Sequence, residues 1–154
     1  MIKLWTMYDS EFFLQFIVPK EECVAIAMHQ FKPYMVASFT DGFLRFFEIE
    51  NKSKTLGRCQ IQAPTEEQGL VDYLISIKIL PSGNHILGAS RNGQVILIYI
   101  QQWDPLAIKL EQLASINTTI NTFDLSYLEP YNKWLVGTAN GKAIVYNRKD
   151  FNAY

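Results

Sequence analysis

Three segments of the chain superimpose without gaps when aligned on Gly42, Gly93 and Gly141, which lie 51 and then 48 residues apart. A repeat of that length constrains the architecture before any local propensity does. Each anchor glycine follows Asp41, Asn92 or Asn140, and an Asx-Gly pair between apolar runs signals a hairpin because such turns need φ > 0. Sixteen residues upstream stand Ile26, Ile77 and Leu125, fourteen upstream Met28, Ile79 and Tyr127, and seven upstream Met35, Ile86 and Trp134. These are expected core positions of two successive strands. Ser38, Ala89 and Gly137, four residues upstream, are all small, as a closely approaching neighbour sheet requires. Downstream, Leu44, Val95 and Ala143 alternate with Phe46, Leu97 and Val145 along a third strand.

Each unit therefore reads as inner strand, second strand, Asx-Gly turn, third strand, polar loop and an outer strand. The outer strands are expected near 12–18, 55–62 and 107–115, and Ile2 to Trp5 fits a third strand of a unit already in progress. No segment sustains a 3.6-residue apolar period, and runs rich in β-branched and aromatic residues punctuated by turns indicate an all-β chain. At 154 residues with 49% hydrophobic content, one domain or a piece of one is long enough to bury a core.

The pattern resembles the WD-repeat β-propeller family, whose blades run from an apolar strand through a small-residue strand and an Asp-Gly turn to a strand ending in Trp-Asp. Ile77 to Gly83 followed by Ile86 to Gly93 carries the resemblance best. The chain departs from the family pattern in lacking the Gly-His pair that often opens a blade. The closing Trp survives only at Trp5, and Thr6, Glu48, Tyr99 or Asn147 replaces the Asp after it. The literal Trp103-Asp104 sits ten residues after Gly93 instead of five, out of register with the blade motif. The resemblance implies a partial propeller of about three four-stranded antiparallel blades plus the end of a fourth. The expected divisions are 1–22 (end of a preceding blade), 23–72, 73–119 and 120–154 (an incomplete blade). A blade cannot bury its faces alone, so the remaining blades are expected from the same or another chain.

Composition narrows the chemistry. Fourteen Lys and Arg against fifteen Asp and Glu give a net charge of −1, which argues against a nucleic-acid stripe. The longest apolar runs fall short of a membrane span. With no signal region in Met1 to Trp5, Cys23 and Cys59 point to a reduced, cytoplasmic setting. No metal ligand set or cofactor motif emerges: the cysteines lack C-x-x-C spacing, and His29 and His85 stand alone beside turns. Nucleophilic catalysis would need a positioned base, and no Gly-x-Ser-x-Gly turn supplies one.

A non-enzymatic protein-interaction scaffold is the leading expectation. Asp41, Gly42, Asn92, Gly93, Asn140 and Gly141 are read as structural turn residues. Candidate partner-binding residues are Lys20, Glu21 and Glu22 in the loop entering an inner strand, Arg91 beside a turn, and Arg148-Lys149 near Lys133 and Lys142 as a local basic excess. The run Phe12 to Phe31 with Ala37 to Gly42 resembles blades of the large tandem-propeller WD-repeat proteins of centrioles and ciliary axonemes. That resemblance implies tubulin and axonemal or centriolar proteins as partners. The alternatives are a substrate-recruiting adaptor, or an enzyme with chemistry in the propeller channel, where Cys23, Tyr73 and Ile120 would begin the inner strands.

Overall fold

The computed structural model describes residues 1–5, 12–50, 54–61, 71–115, 122–131 and 133–147. Within them the chain forms four antiparallel sheets in sequence order. β1 (Ile2–Trp5) pairs with β2 (Phe12–Phe16). The first complete blade follows as β3 (Cys23–Met28), β4 (Tyr34–Phe39), β5 (Phe43–Glu48) and β6 (Thr55–Gln60). The second comprises β7 (Leu74–Ile79), β8 (His85–Ser90), β9 (Gln94–Gln102) and β10 (Ala107–Ser115). A three-stranded sheet of β11 (Thr122–Leu128), β12 (Lys133–Thr138) and β13 (Ala143–Asn147) completes the described chain. The outer strand of the second blade has the bounds expected from sequence, whereas β2 and β6 each stop two residues earlier.

The repeat is visible in the register. Ile26 faces Ala37, Ile77 faces Gly88 and Leu125 faces Val136; Ser38, Ala89 and Gly137 likewise face Leu44, Val95 and Ala143. Each inner strand even breaks register at the same place, between Cys23 and Ala25, Leu74 and Ser76, and Thr122 and Asp124. A bulge conserved in position between units adds twist where each strand enters its sheet.

The sheets stack face to face, which explains why β4 and β8 are buried on both faces and carry near-continuous apolar runs. Val36, Leu44 and Phe46 of the first blade pack on Leu74, Ile77 and Ile86 of the second. Leu87, Ala89 and Val95 continue that packing onto Trp134 and Val136. Ile2 and Phe16 cover Met35, Ala37 and Phe47 at the other end, with the Phe16 and Phe47 rings 4.5 Å apart.

Two expected core positions are not buried: Ile26 is 46% and Met28 50% exposed, whereas the equivalent Ile77 is 3% exposed. The cause is the partner sheet. β1 and β2 cover residues of β4 and β5, leaving the adjoining face of β3 open, and Val24 joins the uncovered strip at 38%. Among the described residues, no helix is long and apolar enough to cross a membrane.

Candidate interaction surfaces

The loops fall on two rims. Each inner strand runs from the rim bearing the Asx-Gly turns to the opposite rim. On the first, Gly42, Gly93 and Gly141 have φ of 78°, 83° and 78°, and each amide donates to the carbonyl three residues back, on Phe39, Ser90 and Thr138. Positive φ falls on the glycine alone and not on Asp41, Asn92 or Asn140, so the turn is a tight reverse turn closed by a left-handed glycine. The Asx residues contribute through their side chains or amides. Asp41 Oδ1 accepts from Phe43 N at 3.1 Å and from the Arg45 guanidinium at 3.0 Å, and Asn140 Oδ1 accepts from Thr138 Oγ1 at 2.6 Å. Burial alone would raise the Asp41 pKa, but the hydrogen bonds from Arg45 and Phe43 and the Arg45 charge outweigh it and hold the carboxyl below its usual range. Arg45 in turn lies over the Phe39 ring at 4.6 Å, and Arg58 over Phe43 at 4.8 Å.

The loop that enters each inner strand is tied to the neighbouring turn. Thr40 N donates to Glu22 O at 3.1 Å, and the equivalent Arg91 N donates to Tyr73 O at 3.0 Å. Glu21 Oε2 accepts from Thr40 Oγ1 at 3.1 Å, so this carboxylate is engaged within the rim. Its counterpart 51 residues on is Asp72, 8% exposed, whose Oδ1 accepts from Tyr73 N at 3.0 Å and Asn92 N at 3.2 Å. Asp72 was not singled out from sequence, although its offset from Glu21 equals the glycine spacing. Lys20 is exposed at φ 68°, Glu22 is exposed, and exposed Arg91 lies 5.9 Å from the centre of the Tyr73 ring. Arg148 and Lys149 lie outside the described residues. Lys133 and Lys142 do not form one basic patch, because Lys133 opens β12 on one rim and Lys142 lies in the turn between β12 and β13 on the other.

The second rim holds the contact that locks the complete blades together. Trp103, in the β9–β10 turn, is 4% exposed and donates from Nε1 to Gly83 O at 3.1 Å. Its indole stacks on Tyr34 and meets His29 and Phe46 edge-on. His29 Nδ1 accepts from Phe31 N and Lys32 N at 3.1 and 3.2 Å. A Cβ on Gly83 would stand 2.2 Å from His29 Nε2, so glycine there admits the imidazole of the other blade. Lys54 and Asp104 add an ion pair at 2.6 Å across the same junction. Sequence reasoning set Trp103 aside because it is out of register with the blade motif; its role is between blades.

Reactive groups are arranged for structure. Burial pushes the Cys59 thiol up to about 12, and the Cys23 thiol is also raised, chiefly by burial. Neither is an activated thiolate at neutral pH. Ser82 Oγ lies 3.2 Å from His85 Nδ1 but also caps the turn by accepting from Asn84 N. Among the described residues no three His, Cys, Asp or Glu side chains converge into a metal set.

No protein-family model and no curated protein matches the chain. Among solved structures, the chain is similar to the β-propeller domain of Cps50 (Swd1) from Myceliophteria thermophila, with a TM-score of 0.72 and 12% identity. The match covers 96% of this chain and 45% of that one, so the chain spans less than half of the propeller it resembles.

Proposed function

From a chain with the fold of WD-repeat propeller blades, we propose a non-enzymatic protein-interaction scaffold, part of a larger ring. The observation that carries this reading is the joint between the complete blades, where Trp103, Tyr34, His29 and Gly83 interlock and fix the two blades, with the loops they carry, relative to each other. Rigid loop arrays present partner contacts at low ordering cost. The thiols are partly buried, with pKa values raised by burial, and the Asp41 carboxylate and Asn140 amide serve their turns, which supports a structural use of these groups. The divisions 1–22, 23–72, 73–119 and 120–154 are proposed as successive blade units, with the missing blades coming from the same or another chain.

The finer proposal is a cytoplasmic, microtubule-associated component of cilia or centrioles, with tubulin and axonemal or centriolar proteins as partners. It is supported by the resemblance of residues 12–31 and 37–42 to tandem-propeller blades. Affinity capture from ciliated and non-ciliated cells tests it: enrichment of tubulin and axonemal proteins supports the assignment, while nuclear or ubiquitin-ligase partners point to an adaptor. Substrate turnover abolished by Cys23→Ser would overturn the scaffold reading.

A further inference from the structure

Each sheet turns one face to the blade before it and one to the blade after it, and on the third sheet the second of these is uncovered among the described residues. The register places Asp124, Ser126 and Leu128 of β11, Leu135 and Gly137 of β12, and Ala143 and Val145 of β13 on that face. Leu128 is 45% and Val145 54% exposed. A hollow of about 160 Å³ opens between Asp124, Ser126, Leu135, Gly137 and Ala143. At its floor, a Cβ on Gly137 would meet nothing closer than Asp124 O at 4.0 Å.

The two joints already formed show what such a face receives. From the first sheet to the third, the second-strand residue shrinks from Ser38 to Ala89 to Gly137, and its cross-strand partner from Leu44 to Val95 to Ala143. The next position along the third strand shrinks with them, from Phe46 to Leu97 to Val145. The blade that follows regains the bulk. Leu44 and Phe46 pack in one cluster with Ile86, whereas Val95 packs in one cluster with Trp134 and Val136, which stand where the second blade has Ile86 and Gly88. Interiors packed to native density require this exchange of volume. With only Gly137 and Ala143 on offer, the third face calls for a residue at least as large as Trp134 at the same position of the next blade. The hollow is about the size of engineered cavities that hold one aromatic ring.

The lining also selects among aromatic rings. Leu135 and Ala143 are apolar, but the β11 wall carries the exposed Asp124 carboxylate and the Ser126 hydroxyl. Asp124 Oδ1 accepts from Ser76 Oγ at 2.8 Å, which leaves Oδ2 for a further donor. An apolar ring with one N–H donor fits such a site. A second copy of this chain does not supply it: its own Trp134 is 2% exposed within the second joint, and Met35, at the same blade position, is covered by Ile2 and Phe16. We propose that this face is a socket for a tryptophan, at the position equivalent to Trp134, on a further blade from outside these 154 residues. Its indole seats against Gly137 and Ala143 and donates its N–H to Asp124. The inference deepens the scaffold reading and rests on it.

Amide NMR on the isotopically labelled chain tests the socket with N-acetyltryptophanamide as the probe. An Ile26→Lys, Met28→Lys background removes the other open apolar strip as a competing site. Saturable shifts are expected at Gly137, Ala143 and Ser126. N-acetylphenylalaninamide, smaller and without the donor, should bind about twofold to tenfold more weakly, and N-acetylalaninamide not at all. Gly137→Leu fills the hollow and should abolish the shifts while the unfolding temperature of the chain holds or rises; Ala143→Leu fills it from the next strand should the first variant unfold early. In the assembled propeller the same Gly137→Leu should lower the unfolding temperature, because the hollow is occupied there. An absence of shifts, shifts that persist in both Leu variants, map to another surface or are reproduced by the alanine probe, or a propeller indifferent to Gly137→Leu would overturn the socket. If cellular partners are still captured in that event, the scaffold stands; capture of no partner removes the scaffold reading itself.

Discussion

Trp103 of the second complete blade lies flat on Tyr34 of the first, with ring centroids 4.9 Å apart and planes inclined by 11°. The indole also donates to Gly83 O within its own blade, so one side chain joins both sheets. Trp103→Ala should cost about 3–5 kcal/mol through the cavity and the lost hydrogen bond. Trp103→Phe keeps part of the stack and should cost less. Denaturant unfolding of the two variants measures the difference, and equal stability of Trp103→Ala and the unaltered protein would remove the interblade lock.

The turn glycines should not be equally sensitive. At Gly42 a Cβ would stand 2.6 Å from Val71 Cγ1 and 2.9 Å from Asp72 O, in addition to the positive φ, while Gly141 has nothing within 4 Å. Gly141→Ala should therefore cost only the backbone strain, on the order of 1 kcal/mol, and Gly42→Ala distinctly more. Gly93→Val places a β-branched residue at φ 83° and should cost about 1–3 kcal/mol. Thermal unfolding of the three variants gives the ranking.

Stability should fall in mild acid through His29. Burial first, then the charge of Lys32, lowers its pKa below the ordinary 6.5. The neutral ring is needed because Nδ1 accepts two backbone N–H bonds. A depressed pKa means that the stabilisation is complete above pH 6.5 and is lost as pH falls through the lower, folded-state value. His29→Asn retains an acceptor that does not titrate in this range, so the slope of stability between pH 7 and 5 should flatten. Asp41, also depressed, adds a similar loss at still lower pH, below its ordinary value of 3.8.

The open strip on β3 should drive association. Val24, Ile26 and Met28 are 38%, 46% and 50% exposed and continuous with the face that β1 and β2 cover. The 154-residue chain should self-associate in sedimentation experiments, and Ile26→Lys with Met28→Lys should shift it towards monomer without lowering its unfolding temperature. In a longer protein whose preceding blade is complete, the same pair should instead destabilise the ring.

What could be read in advance was whatever repeats. The glycine-anchored register, the buried Met35, Ile86 and Trp134, and the bounds of Ala107–Ser115 all follow from positions that recur at the unit spacing. Ile26 and Met28 shared that pattern and still emerged exposed, because burial of a blade face depends on how much of the adjoining sheet is present. Trp103 and its partners occur once, so no periodicity could reveal them; an isolated Trp in the polar run Gln101 to Asp104 was the available signal.

The repeated blade itself is tested most directly by cross-strand nuclear Overhauser contacts in the isotopically labelled chain. Ser38 with Leu44, Ala89 with Val95 and Gly137 with Ala143 should give the same antiparallel neighbour pattern, each flanked by a turn glycine at positive φ. Sequential helical amide contacts through these stretches, or a different register in any one of them, would contradict the blade and the scaffold built on it.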